Sequence, residues 1–134
     1  MRSNRKTILL LVMVFAIFIS GCSLVTPERG SLKVDKALSG HWINSNGTPS
    51  YYFSDTTFTK VEKDGSTTNM TYAVLQSNDN DNTLTIRVTN PTGVVQDETI
   101  KFSTDKKSMT ETVSILGIKI SEANYNYVDS KTKP

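Results

Sequence analysis

From Gly40 onward the chain is cut at nearly regular intervals by residues that accept tight or left-handed turns, and this cadence restricts its fold more than any other feature. Asn46-Gly47, Asp55-Thr56, Asp64-Gly65, residues 78–82, Pro91-Thr92-Gly93, residues 104–107 and Gly117 separate segments rich in Thr, Val, Ile and Tyr, which suit a pleated, half-buried strand. The segments are residues 41–44, 50–54, 58–63, 67–77, 83–90, 94–103, 108–116 and 118–128. Every connection between them is short, which forces sequential antiparallel neighbours. The expected fold is all-β: a small antiparallel up-and-down β-barrel of about eight strands, whose closure, not written in the sequence, would remove the exposed edges that invite aggregation.

Alternation says which side of each strand is dry, because successive residues point to opposite faces. Leu84, Ile86 and Val88 face one way, while Thr85, Arg87 and Thr89 face the other. Met70, Tyr72 and Val74 make a second apolar row, Ile100 and Phe102 a third, and Met109, Val113 and Ile115 a fourth. Ile118 and Ile120 begin a row that changes phase before Ala123, Tyr125 and Tyr127, as a bulge in the last strand would make it do.

Ahead of this β-rich part stands a different kind of segment. Arg2, Arg5 and Lys6 precede an apolar run of twelve residues, 8–19, and then Ser20-Gly21-Cys22, the only cysteine in the chain. As a helix the run rises about 18 Å, well short of the roughly 30 Å of bilayer hydrocarbon, so it reads as the core of a secretory signal. Ile19-Ser20-Gly21-Cys22 resembles the lipobox of bacterial lipoproteins. The resemblance implies cleavage between Gly21 and Cys22, lipidation of the Cys22 sulfur, and a membrane-anchored protein on the extracytoplasmic face. Residues 1–21 are then the signal peptide, residues 22–37 the lipidated cysteine and its tether, and residues 38–134 the barrel domain. With no second cysteine the domain has no disulfide, so its stability must come from its core.

Charge points the same way once the signal is set aside. The full chain has 15 basic and 13 acidic residues, and without Arg2, Arg5 and Lys6 the balance becomes 12 against 13. No basic cluster remains, which leaves nucleic-acid binding and electrostatic adhesion to anionic lipid without a footprint.

Gly40-His41-Trp42, opening the first strand after a possible helical turn within residues 31–38, resembles the Gly-x-Trp signature that begins the lipocalin barrel. The resemblance implies that Trp42 closes one end of a lipocalin-like cup, with a basic side chain from late in the barrel laid across its ring; Lys119 and Lys131 are the candidates. Lipocalins usually hold a small apolar or amphipathic ligand, which makes Tyr72, Ile86, Phe102 and Glu111 the candidate pocket. The domain is shorter than the family's usual size, so a cavity does not follow from strand count.

Catalytic chemistry finds few supports. His41 is the sole histidine and has no cysteine or second histidine with which to hold a metal. No Gly-x-Ser-x-Gly elbow occurs, and Asp97-Glu98 lie side by side on a strand, hence on opposite faces. The alternating Asp79 and Asp81 resemble the start of a calcium loop, but Leu84 stands where that loop needs glycine. Glu111 shares a face with Met109 and Val113, which aims its carboxylate inward with Arg87 or Lys101 as candidate partners, unless it lies near the rim. Tyr51-Tyr52-Phe53 puts at least one aromatic ring on the outer face, a candidate partner surface. The expected function is a non-enzymatic lipoprotein, without cofactor or metal, that binds a small ligand in its barrel; the alternative is a module that engages an envelope protein through its outer face or loops. The oligomeric state is not legible in the sequence.

Overall fold

The computed structural model describes residues 28–134. Gly21, Cys22 and the whole signal segment lie outside the described residues. A single turn of 3-10 helix, Arg29–Ser31, and a short helix α1, Val34–Ala37, lead into eight strands: β1 Gly40–Asn44, β2 Ser50–Phe53, β3 Thr57–Val61, β4 Thr67–Asn78, β5 Thr83–Thr89, β6 Val95–Phe102, β7 Ser108–Ile115 and β8 Ile118–Asp129. They form a closed barrel in sequence order, β8 returning to pair with β1, every neighbour antiparallel. This is the up-and-down topology that short links enforce, and it is compatible with a lipocalin-like fold.

Inward and outward positions alternate as the strand period requires. Leu84, Ile86 and Val88 are fully buried, with Arg87 between them exposed. Two irregularities bend the sheet. In β4 the register passes from Val74 to Gln76 and skips Leu75, and in β8 it passes from Lys119 to Ser121 and skips Ile120. The second is the phase change that the apolar rows of the last strand lead one to expect.

Up-and-down wiring gives the barrel two distinct ends. The turns after β2, β4 and β6 gather with α1 at a capped end, and the turns after β1, β3, β5 and β7 lie at the far end. The capped end corrects the expected domain boundary. Residues 28–37 do not run off as a tether: Val34, Ala37 and Leu38 are fully buried in the same cluster as Trp42 and Phe102, with Leu32 packed against it. A small barrel has little core to spare, and full burial of a side chain such as Val34 or Leu38 contributes about 1.5–3 kcal/mol. Asp79 Oδ1, in the β4–β5 turn, accepts a hydrogen bond from the Val34 amide at 2.8 Å, so the turn that resembles a calcium loop serves instead to hold α1.

Gly40 is held at φ 124°, and a Cβ there would meet Asp129 O at 2.7 Å and Tyr127 Cε2 at 2.8 Å. No other residue fits between α1 and the end of β8 without moving backbone.

Candidate functional site

Trp42 is fully buried, and its Nε1 donates to Leu38 O at 2.8 Å. The basic residue laid across it is Arg29, not Lys119 or Lys131. The guanidinium lies 5.2 Å from the Trp42 ring centroid and 3.4 Å from that of Tyr127. Arg29 Nε donates to Lys106 O at 3.0 Å, and Nη2 donates to Ala37 O. Burial pulls the Arg29 pKa down from its ordinary value, and Tyr127 opposes that shift. Lys106 reinforces the cap, its Nζ donating to Gly30 O at 2.9 Å. Lys119 is at the other end of β8, exposed and paired with Glu122 at 2.7 Å. The cation comes from before the barrel because the segment read as a tether folds back over Trp42, which no local pattern announces.

The four candidate pocket residues all face the interior. Ile86 is fully buried, and Tyr72, Phe102 and Glu111 are buried too. Tyr72, Ile86 and Phe102 belong to one buried apolar cluster. Tyr72 stands 5.8 Å from Phe53 and 6.2 Å from Phe58, centroid to centroid, and its hydroxyl donates to Ser54 O. Three depressions of the described surface, of about 340, 520 and 480 Å³, are lined by other residues, none of them Tyr72, Ile86, Phe102 or Glu111.

Glu111 does not stand alone inside. Ile100 faces Glu111 and Glu98 faces Val113 across the β6–β7 ladder, so the two glutamates are inward diagonal neighbours, a spacing within reach of long side chains. Both are buried, at 4% and 3% exposure. Burial raises both pKa values, and the Glu98 charge pushes Glu111 further, well above the ordinary carboxylate range. Glu98 Oε1 accepts from Gln96 Nε2 at 2.7 Å, while Glu98 Oε2 and Glu111 Oε1 have no donor. A proton held on Glu111 and shared with Glu98 gives the pair the donor that two carboxylates lack. Beside them Tyr51 and Tyr125 stack at 4.9 Å, and burial lifts both phenols above their ordinary pKa.

Arg87 and Lys101, the candidate partners for Glu111, both lie outside the barrel. Arg87 makes a two-point pair with Asp97 at 2.8 and 3.0 Å, and Lys101 Nζ bonds to Asp81 O. Asp97 and Glu98 do occupy opposite faces, one in solvent and one in the core. Glu98 was legible: continuing the Phe102–Ile100 row back by two residues turns it inward.

The aromatic triplet divides by the same rule. Tyr51 and Phe53 are buried; Tyr52 alone faces out, and the His41 ring stacks on it at 4.1 Å and 7°. One outward ring is what the triplet leads one to expect; of the candidate partner surface only Tyr52 is on the outer face, while Tyr51 and Phe53 belong to the core. Val74, Leu75 and Val128 are exposed on β4 and β8, and the larger group of exposed apolar residues sits at the far end. Leu116 is 97% exposed at the tip of the β7–β8 hairpin, with Ile118 at 67% and Ile120 at 59%; Ile115, Val94 and Val95 are exposed beside it. Leu116, Ile115 and Val95 line the depression of about 340 Å³ together with the Arg87–Asp97 pair. The available signal was three isoleucines and a leucine crowded around Gly117, more apolar residues than one buried face of a hairpin tip needs.

Among the described residues no group of three or more metal-ligating side chains comes together, and no helix is long and apolar enough to cross a membrane. No protein-family model matches the chain, and neither curated proteins nor solved structures give a match.

Proposed function

We propose that this chain is a lipid-anchored, extracytoplasmic, non-enzymatic module whose lipocalin-like barrel acts as a scaffold and whose far end engages an envelope protein. The observation that carries the reading is the apolar hairpin tip: Leu116 at 97% exposure, with Ile115, Ile118 and Ile120 around it. Such a patch marks an interaction site more often than idle surface. The barrel interior, occupied by one cluster of fifteen buried apolar residues, supports a scaffold over a carrier. The lipobox-like Ile19-Ser20-Gly21-Cys22 supports the anchor.

A photo-crosslinking amino acid at position 116, with a control at position 55 on the capped end, tests this in the intact envelope. A protein adduct from position 116 alone, identified by mass spectrometry, is expected. A small molecule co-purifying with the domain, with no adduct from position 116, would refute it. Radiolabelled palmitate should enter the wild type and not Cys22→Ser.

A second reading, a small ligand held inside the barrel, takes Glu98 Oε2 and Glu111 Oε1 as acceptors for a ligand in place of the proton that the two glutamates otherwise share. It calls for a ligand with an N–H or O–H donor, and native mass spectrometry of the purified domain would detect it.

A further inference from the structure

A closed barrel has no full-length edge, yet this one leaves parts of two strands paired on one side only: residues 73–78 of β4, which run past the end of β3 toward the turn that holds α1, and the start of β8, which lies beside the apolar tip. β8 starts at Ile118, but its pairing with β1 reaches back only to Tyr125, with Ser45 N donating to Asn124 O at 2.9 Å as the last bond. Among the described residues, the backbone of 118–123 therefore pairs with β7 alone. Half of its N–H and C=O groups point away from that partner. Ile118 to Glu122 are all exposed. Proteins ordinarily blunt such an edge or cover it, because it templates pairing with another chain.

We infer that the edge at residues 118–123 is a strand acceptor: an extended segment of the envelope partner adds to β8 there, its alternate apolar side chains lying on Leu116, Ile118 and Ile120. The inference rests on the interaction-module reading and names its mode of binding. Three observations select this occupant. On the lipid-anchor reading, with the chain cut before Cys22, its own N-terminal segment cannot serve, since Glu28 is at the capped end and the six residues from Cys22 span about 20 Å at most, whereas β8 has twelve residues rising about 3.3 Å each. On the same reading the anchor joins the domain at its capped end, which makes the far end the one distal to the attachment point. Charges around the tip are already paired, Lys119 with Glu122 and Arg87 with Asp97, leaving no cationic surplus for anionic headgroups.

A second copy fits poorly. Two-fold antiparallel pairing sets one residue opposite itself. Centred on Ile120 it opposes Ile118 to the second copy's Glu122, and centred on Ser121 it opposes Ile120 to that glutamate. Centred on Lys119 or on Glu122 it sets like charges face to face, which is destabilising; centred on Ile118 it needs the turn residues 116 and 117 as strand, and centred on Ala123 it needs Tyr125 and Asn126, which already pair with β1. A foreign strand carries no such constraint. Backbone pairing supplies its affinity and alternate side chains its specificity.

The test uses the mature domain and a synthetic nine-residue peptide of alternating valine and threonine with a lysine at each end, beside the same peptide N-methylated at alternate residues. Hydrogen exchange should slow at the 118–123 amides with the plain peptide, and the methylated one should bind about tenfold or more weakly. Absence of protection at 118–123, or equal binding of the two peptides, overturns the inference. So does sedimentation as a dimer protected there without peptide, or flotation with zwitterionic vesicles that depends on Leu116. If the adduct from position 116 forms while the peptide result is negative, the interaction reading stands and strand addition falls; if both are negative, both fall.

Discussion

Leu116→Asn should make the protein more stable and less able to bind. Leu116 and Gly117 occupy the two central positions of the β7–β8 turn at φ 53° and 77°, the pattern of a type I′ turn, for which Asn-Gly is the preferred pair. A left-handed conformation costs an ordinary L-residue about 1–2 kcal/mol, and asparagine tolerates it. At 97% exposure the leucine contributes almost no burial, so its removal opens no cavity. The net gain is about 1 kcal/mol, and in a domain of this size that raises Tm by roughly 4–8 °C. Leu116→Gly also fits the turn, but its extra freedom in the unfolded chain cancels about 0.5–1 kcal/mol of the gain.

Thermal unfolding followed by circular dichroism gives the stability, and adduct formation from a crosslinker moved to position 118 gives the binding. The expected pair of results is a higher Tm and an adduct reduced by about tenfold, which corresponds to 1.4 kcal/mol of lost affinity. An unchanged or lower Tm would refute the strain argument. An adduct undiminished beside a higher Tm would show that Leu116 is a tolerated surface residue with no part in docking.

Arg29→Ala removes two hydrogen bonds from a charged donor and the stacking on Trp42 and Tyr127, and for a half-buried group the loss should be about 2–4 kcal/mol; Arg29→Lys should not restore it, since one ammonium cannot replace the fork, and urea midpoints will show both. Trp42→Ala should cost about 3–5 kcal/mol, enough to leave the isolated domain largely unfolded by circular dichroism. Glu111→Gln should flatten the alkaline side of the stability profile. Its folded pKa lies above the ordinary value of 4.5, so the stability linked to its proton is complete below that value and is lost as pH rises through the raised one. The glutamine keeps a donor toward Glu98 without titrating, and wild type minus variant Tm should therefore fall as pH rises; a difference independent of pH would rule out the shared proton.

What the sequence discloses and what it withholds follow from the range of each interaction. Rows such as Leu84, Ile86 and Val88 locate strands because a half-buried strand writes its period into consecutive residues, and Asn46-Gly47 or Asp64-Gly65 end them by purely local dihedral preference. The bulge at Ile120 is legible for the same reason, as a break in phase between Ile118 and Ala123. Arg29 is not, because its place over Trp42 depends on residues 29–38 folding back across the β6–β7 turn, a contact spanning seventy-seven positions to Lys106. The free edge of β8 is hidden too. It arises from unequal strand lengths, five residues in β1 against twelve in β8, and from the register between them, neither of which side-chain alternation encodes.

The distribution of polarity along β7 links the interior to the rim. Met109, Glu111, Val113 and Ile115 share one face of this strand, and their exposure rises in that order from the capped end outward. A barrel selected only for stability would place the carboxylate at the wet end of such a row and the isoleucine at the dry end. Here the order is reversed, and the reversal costs free energy twice, through a desolvated carboxyl pair and through exposed aliphatic area with a leucine in a strained turn. Neither cost is imposed by the fold, since glutamine at position 111 and asparagine at position 116 would satisfy the same backbone. Departures from local consistency that a single substitution could repair are expected where function holds the residue in place, and the one at position 116 lies beside β8 backbone that, among the described residues, lacks a neighbour on the β1 side.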